Sequence, residues 1–353
     1  MSLLAGCNVE NFSDILKAAQ EASSSLLPAK SKEKYQKVYE KFCQWRITKN
    51  VQKTDENVIL AYFFEKAKAL KDSSLWSTYS ILKSTLQINE NMDISQYKKL
   101  VAFLKRQNDT YEAKKSKVLT MENVTIFLKE APDDKFLLMK VVLIFGLNGA
   151  CRRAELCSLT VKDIEDTGKI LVITLHDTKT KKKRVFIVGS ECNGYEIYHK
   201  YLRLRPKPVK HNRFFIYYNH GKCTVQPVGI NSFAKIPQKV AEYLKLPDAS
   251  SYTGHCLRRT SATFLADSGA DIQTLKRHGG WQSTSVAEGY IEESIGNKLK
   301  ISKSIFHQQE LVASQDLGTS RESNSFQEEK LQFKKFGVAN FSNLNNCTFN
   351  ICI

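Results

Sequence analysis

The stretch from residue 254 to residue 290 constrains the fold more than any other part of the chain. It begins with His255 and Arg258, which are three residues apart. Residues with this spacing share a face of an α-helix, so an imidazole and a guanidinium are expected to point at the same spot. Tyr290 closes the stretch, nine residues after Trp281.

Capping residues divide this stretch into short helices. Asp271 is expected to be the N-cap of a second helix over residues 272–278, which the two following glycines close. Ser283 or Thr284 is expected to cap a third helix that carries Tyr290 on its last turn. A base, a bidentate phosphate binder and a phenol are thereby brought together. Such a set suits attack on a phosphodiester.

An excess of positive charge points to a polyanionic partner. Lysine plus arginine number 53 and aspartate plus glutamate 36, which gives a formal net charge of +17 and a pI near 9.3. This balance most often indicates a nucleic acid. Charge that serves solubility alone is the alternative.

The cysteines indicate a reducing compartment. There are nine, an odd number, and they are scattered, without a CxxC pair or a histidine at zinc-finger spacing. They are therefore expected to be reduced thiols in a soluble, intracellular protein. No metal and no cofactor are expected, which agrees with the lack of an acidic cluster. No signal peptide and no apolar run of membrane-spanning length is evident, so no membrane partner is expected.

The chain is expected to form two domains, since it has 353 residues. After a leader over residues 1–30, helical periodicity predicts an all-α domain of four helices over residues 31–108, the last covering residues 94–107. Its aromatic side chains are expected to lie in the core: Trp45, Phe63, Phe64, Trp76 and Phe103.

A basic linker is expected over residues 109–118. Its lysines, Lys114, Lys115 and Lys117, could track a phosphate backbone, and a solvated hinge is the alternative. An α+β domain follows over residues 119–306, where two alternating strands, over residues 170–175 and 184–188, flank a long basic hairpin tip. Residues 214–218 could form a further short strand. The overall prediction is a mainly α fold with a small antiparallel β-sheet, ending in a polar, Asn-rich tail over residues 307–353.

These motifs together resemble the tyrosine recombinase (phage integrase) family. That family has an arginine three residues before a Glu-Leu pair, a lysine on a β-hairpin, an HxxR motif, and a histidine or tryptophan nine residues before a nucleophilic tyrosine. The matching residues are Arg152, Lys179, His255, Arg258, Trp281 and Tyr290. The resemblance covers residues 31–305.

The resemblance implies a site-specific recombinase or integrase of a mobile element, in which the four-helix core-binding domain and the catalytic domain form a clamp around double-stranded DNA. A homo-oligomer, dimer or tetramer, is expected on paired sites. Tyr290 would attack the phosphodiester and form a 3′-phosphotyrosine. Arg152 and Arg258 would bind the non-bridging oxygens.

The remaining roles follow from proton transfer. Lys179 could protonate the leaving 5′ oxygen, and His255 could assist the proton on Tyr290 or orient the phosphate. Trp281 can donate its indole N–H to a phosphate oxygen and pack the helix that bears Tyr290.

Neighbouring residues compete with some of these assignments. Arg153 is an alternative to Arg152, and Arg259 is an alternative to Arg258. The motif spacing favours Arg152 and Arg258. Lys181, Lys182 and Lys183 are expected to contact DNA, and any of them could reach the site in place of Lys179. The same basic run is typical of a nuclear localisation patch. His278 invites a metal-binding interpretation, but a helix C-terminal cap is favoured.

Among members of the family, this chain is most similar to eukaryotic Crypton-type transposon recombinases, in its lysine-rich composition, in Trp281 in place of histidine and in its Asn-rich tail. This similarity favours a nuclear location. The first alternative function is a catalytically silent DNA-binding protein derived from such a recombinase. A topoisomerase with the same chemistry and an RNA-binding module are further alternatives. The full set of catalytic residue types argues against the first, and the small size argues against the second.

Overall fold

A computed structural model describes residues 9–109, 114–176, 178 and 182–315. The chain divides into two compact units, Met1–Lys115 and Ser116–Ile353, and each is described by itself. Within the described ranges, no helix is long and apolar enough to cross a membrane. The six cysteines in these ranges are free thiols.

The described residues of the first unit form helices alone. They are α1 (Val9–Ser25), α2 (Lys32–Thr48), α3 (Glu56–Ala67), α4 (Asp72–Glu90) and α5 (Lys98–Asn108). Thr54 and Asp55 are both candidate caps of α3 by sequence, and the structure selects Asp55, whose carboxylate accepts a hydrogen bond from the Val58 N–H. Phe42, Tyr62 and Phe63 fill the centre of the core and are almost completely buried.

Two details of this unit differ from the prediction. The last predicted helix is broken at Tyr97: a short 3-10 turn over Ile94–Gln96, whose first N–H groups are held by Asp93, precedes α5. Phe64 is not a core residue, since it is 55% exposed. Consecutive helical residues point in different directions, so burial of Phe63 turns Phe64 outward, where it packs on Phe103.

The second unit combines helices with two small sheets. Its helices are α6 (Met121–Glu130), α7 (Asp133–Asn148), α8 (Arg153–Ser158), α9 (Gly194–Arg203), α10 (Ile230–Tyr243), α11 (Cys256–Asp267), α12 (Ile272–Gly279), α13 (Thr284–Glu293) and α14 (Ile295–Gln315). Its strands are β1 (Ile164–Asp166), β2 (Leu171–Leu175), β3 (Arg184–Val188), β4 (Ile216–Asn219) and β5 (Lys222–Pro227).

Helix α7 is the centre of this unit. Its residues from Val141 to Gly146 are all buried, and it packs against α9, α10 and α11. The strands form an antiparallel sheet of order β1-β2-β3 and a separate β4-β5 hairpin. The predicted fold, mainly α with a small antiparallel sheet, is confirmed. Strands β1 and β5 and helix α14 were not expected from the sequence.

The predicted cap Asp271 is confirmed, whereas Ser283 precedes α13 without a side-chain capping hydrogen bond. Thr120 starts α6 with a capping box, and the Asp271 side chain accepts a hydrogen bond from the Thr274 N–H at the start of α12. Gly280 ends α12 in the left-handed conformation, with φ of 64°, which glycine adopts without a steric penalty. The end of α12 at Gly280 sets the direction in which the chain continues to Trp281.

Candidate active site

Arg152 lies at the N-cap of α8 and is tied to the buried carboxylate of Glu155. Its Nη1 donates to Glu155 Oε1 over 2.6 Å, and its backbone N–H donates to Oε2 over 2.8 Å. Only 2% of the Glu155 side chain is exposed. Arg153 is exposed instead. The structure therefore places Arg152, and not Arg153, against Glu155, as the three-residue spacing predicted.

A second arginine binds the same carboxylate from the sheet. Arg184, the first residue of β3, donates from Nη2 to Glu155 Oε2 over 2.8 Å and from Nη1 to the carbonyl of His278 over 3.0 Å. Its side chain is 9% exposed. Sequence reasoning assigned Arg184 to the start of a strand and missed this role. The one available signal was a charged residue at the inner end of an otherwise apolar strand.

Arg258, on the first turn of α11, is buried and is held by main-chain oxygens. Its Nη1 donates to the Ala150 carbonyl over 2.6 Å and its Nη2 to the Gly279 carbonyl over 2.5 Å. Burial lowers the pKa of Arg258 to about 10, and the charges of Arg152 and Arg184 act in the same direction. The guanidinium still carries its charge at neutral pH. Arg259 instead donates to the Ser116 carbonyl.

Trp281 joins the arginine cluster to the tyrosine. The Cζ of Arg258 lies 4.6 Å from the centroid of the indole, within the range of a cation–π interaction. The ring centroids of Trp281 and Tyr290 are 5.0 Å apart and their planes are tilted by 33°. Tyr290 is also close enough for its charge to act on the pKa of Arg258.

His278 is a half-buried, neutral side chain in the last turn of α12. Burial lowers its pKa to about 4, with further lowering by Arg184 and Arg258. The Ser261 hydroxyl donates to the Leu147 carbonyl over 2.5 Å. Since that hydroxyl has a single proton, the contact of 2.6 Å between Ser261 Oγ and His278 Nε2 requires the ring nitrogen to donate.

His278 is accordingly not the cap of α12, because Gly280 has that role. Within the described ranges, no group of three or more histidine, cysteine, aspartate or glutamate residues could hold a metal ion.

A basic cleft of about 400 Å³ opens in front of these residues. Arg152, Arg184 and Trp281 line it together with Lys276, Arg277 and the exposed Lys182 and Lys183. Arg258 contacts this lining from inside the protein, through Gly279 and Trp281.

Several predicted residues are not in the lining of this cleft or are not described. Lys179 and Lys181 fall outside the described residues. His255 is the exposed N-cap of α11, and it is absent from the lining of the cleft within the described ranges. Lys117 forms a salt bridge of 2.8 Å with Asp248, while Lys114 and Lys115 are exposed in the first unit.

Comparison with known proteins identifies the class. The model of the phage integrase family matches residues 117–295. The match covers just over half of the chain, and the chain belongs to this family, whose members are tyrosine recombinases. No curated protein matches the sequence.

Three DNA-bound recombinases share the fold. The Tn1549 transposon integrase with a circular intermediate DNA has a TM-score of 0.56 at 18% identity, covering 77% of this chain and 94% of that one. The XerH site-specific recombinase on its difH substrate has a TM-score of 0.55 at 17% identity, covering 73% and 74%. A λ integrase dimer on a COC′ core site has a TM-score of 0.51 at 14% identity, covering 79% and 94%. At these identities the likeness establishes the fold alone.

Proposed function

We propose that this chain is a site-specific DNA recombinase that cuts and rejoins duplex DNA through a 3′-phosphotyrosine on Tyr290. The observation that carries the proposal is the contact of one indole, Trp281, with both Arg258 and Tyr290. A phenol is a weak nucleophile because its ordinary pKa is about 10. Cations beside it favour the phenolate, and Arg258 supplies such a cation.

The charge of the cluster suits the transition state of in-line attack. Arg152, Arg184 and Arg258 contribute three positive charges, and Glu155 contributes one negative charge, which leaves an excess of two. Attack of a phenolate on a phosphodiester produces a pentacoordinate phosphorus that carries two negative charges. Charge that is fixed before the substrate arrives needs no reorganisation during the reaction and is usually the largest catalytic contribution.

Proton transfer completes the reaction. Lys179, which follows β2 and precedes β3 in the sequence, is proposed to protonate the leaving 5′ oxygen. His255, one turn before Arg258, is proposed to take the phenol proton or to orient the phosphate. Trp281 can donate its indole N–H to a phosphate oxygen.

Duplex DNA is the proposed substrate. The cleft is lined by Lys182, Lys183, Lys276 and Arg277, which can neutralise phosphates on either side of the reacting bond. Lys114, Lys115 and Lys181 are proposed as further DNA contacts. We further propose that the four-helix unit is a core-binding domain, and that the protein acts as a homo-oligomer on paired sites. The solved λ integrase is described as a dimer on its core site, which supports this assembly.

A mobile-element origin of Crypton type and a nuclear location are the finer part of the proposal. The description of one solved neighbour as a transposon integrase supports the mobile element. The lysine run before β3 and the tryptophan at position 281 support the subtype and the location.

The proposal is tested by covalent capture. DNA that binds the protein tightly is selected from a random library, and nicked duplexes of the selected sequences are incubated with the protein before denaturing electrophoresis. Wild type is expected to give a band shifted by covalent DNA. Tyr290→Phe should give none while binding remains nearly intact, because only the hydroxyl is lost.

Tyr217→Phe is the matched control, since Tyr217 is an exposed tyrosine on β4. It should capture DNA as wild type does. Tight, salt-sensitive binding without a covalent band would instead support a catalytically silent DNA-binding protein.

A further inference from the structure

Helix α13, which carries Tyr290, rests on a very small apolar core. The buried side chains of this core are Ala266 on α11, Leu275 on α12 and Ala287 on α13, with Ile291 packed at its edge. Two of the three are alanines, which bury little apolar surface. Such a core alone gives weak control over the position of a nucleophile.

A polar contact at the end of α13 supplements this core. Ser294 lies between α13 and α14 and is completely buried. Its hydroxyl donates to Asp267 Oδ1 over 2.6 Å, and the Gly296 N–H donates to the same oxygen over 3.1 Å. Ser294 Oγ in turn accepts from the Asn297 N–H over 3.0 Å. One oxygen of Asp267 therefore accepts hydrogen bonds from two residues at the junction between α13 and α14. We call Asp267, Ser294 and Gly296 the latch.

The latch brings two backbones into close contact. A Cβ at position 296 would lie 2.7 Å from the carbonyl oxygen of Asp267 and 2.9 Å from its Cα. These distances are shorter than real Cβ contacts allow, so only glycine permits the approach. The junction cannot move toward α11, and the hydrogen bonds to Asp267 prevent it from moving away.

Asp267 of the latch and Arg258 of the site lie at opposite ends of α11. Arg258 is on the first turn of α11, and Asp267 is its last residue. Tyr290 precedes Ser294 by four residues, which is about one helical turn. We propose that Asp267 and Ser294 are positioning residues, which hold α13 on α11 so that the phenol of Tyr290 stays beside the Arg258 guanidinium. This inference rests on the proposed role of Tyr290 as the nucleophile.

The first test measures the rate of covalent capture in a single turnover, with DNA affinity measured separately. Asp267→Ala removes the acceptor, whereas Asp267→Asn keeps an oxygen that can accept both hydrogen bonds. We expect Asp267→Ala to slow capture by about tenfold or more at unchanged affinity, and Asp267→Asn to restore it. Equal rates for both variants and wild type, or equal loss in both variants, would overturn the proposal.

Glycine variants give an independent comparison on the same helices. Gly296→Ala introduces the clash with Asp267 and should slow capture. Gly289→Ala adds a methyl group in open space on α13 and should leave the rate near that of wild type. Capture by Gly296→Ala at the wild-type rate would contradict the latch.

A second test needs no activity. Hydrogen exchange of the full-length protein without DNA should show faster exchange across α13 in Asp267→Ala, with α7 unchanged and Asp267→Asn like wild type. Unchanged exchange across α13 in Asp267→Ala overturns the latch. If Asp267→Ala also exchanges faster across α7, that variant has loosened the whole unit, and Gly296→Ala is measured in its place. Unchanged exchange across α13 in Gly296→Ala then overturns the latch. Failure of wild type to capture DNA would defeat the proposed function and leave this test of the latch valid.

Discussion

The guanidinium of Arg258 lies against the face of Trp281, with 4.6 Å between its Cζ and the centroid of the indole. The same guanidinium donates to the carbonyls of Ala150 and Gly279. Its plane is therefore fixed by two hydrogen bonds and one stacked ring. The nitrogen atoms of Arg258 are oriented before any phosphate arrives.

Replacement of Arg258 by lysine should separate charge from geometry. A lysine ammonium keeps the positive charge, but it lacks the planar fork that reaches both carbonyls and stacks on Trp281. We expect Arg258→Lys to slow covalent capture by roughly two to three orders of magnitude with little change in DNA affinity. Arg259→Lys is the control and should react within a few-fold of wild type. A normal rate for Arg258→Lys would show that charge alone is required.

Glu155 should be essential for stability because it is buried between two arginines. Glu155→Gln removes the negative charge and leaves the guanidiniums of Arg152 and Arg184 without a counter-charge. Loss of one partner from a buried ion pair destabilises a protein by about 3–5 kcal/mol. Urea unfolding followed by circular dichroism measures the effect. Glu165→Gln, at an exposed position of β1, should change the free energy of unfolding by less than about 0.5 kcal/mol.

His278 should make the protein less stable in mild acid. Its pKa is about 4 in the folded protein and about 6.5 when unfolded, so the unfolded chain binds the proton first as the pH falls. The contribution of the neutral ring is complete above pH 6.5 and is lost between about pH 6.5 and pH 4. At pH 5 the loss is about 2 kcal/mol relative to pH 7.5.

The measurement compares urea unfolding of wild type and His278→Gln at the two pH values. Glutamine does not titrate, so the variant should show a smaller loss of stability between pH 7.5 and pH 5. An identical pH dependence for both proteins would mean that His278 is protonated at the same pH in the folded and unfolded states.

Lys182 and Lys183 should contribute to DNA binding through phosphate neutralisation. Each alanine substitution should weaken binding to all DNA sequences similarly. It should also reduce the slope of the logarithm of affinity against the logarithm of salt concentration by about one. Lys169→Ala, at an exposed turn outside the cleft lining of the described residues, is the control. Loss of affinity at an unchanged slope would indicate a folding defect.

Cleavage should use the tyrosine of the same subunit as the arginines. Trp281 contacts Arg258 and Tyr290 of its own chain, so a mixture of Tyr290→Phe and Arg258→Ala proteins has no complete site. We expect such mixtures to capture no more DNA than either variant alone. Restored capture in the mixture would show that the tyrosine is donated between subunits. As a control for subunit exchange, capture is also measured in a mixture of wild type and Tyr290→Phe, to show whether mixed oligomers form.

Local chemistry made the helix ends and the arginine assignments predictable. Asp271 and Gly280 fix the ends of α12 through contacts within a few residues, so a short sequence window contains the whole cause. The choice of Arg152 over Arg153 likewise follows from one helical turn, because Glu155 is the partner.

Contacts between distant segments were not predictable in the same way. Arg184 meets His278 and Glu155, which are 94 and 29 residues away, and a strand pattern contains no information about either. The strand β1 is only three residues long, too short for alternation to show. The roles of Lys179 and His255 remain predictions from the family pattern.

The hydrogen-bond partners of Arg258 also determine how the site tolerates amino-acid substitutions during evolution. A carbonyl oxygen is present at every position, so no replacement at residue 150 or 279 deletes an acceptor; it can only displace one. Ala150 is completely buried and has a φ of 42°, in the left-handed region that favours glycine, so a larger residue there would displace its carbonyl by crowding or strain. At position 279 a Cβ would collide with the Trp281 ring. At positions 150 and 279, damaging natural variants should therefore act by bending the main chain and not by removing an acceptor.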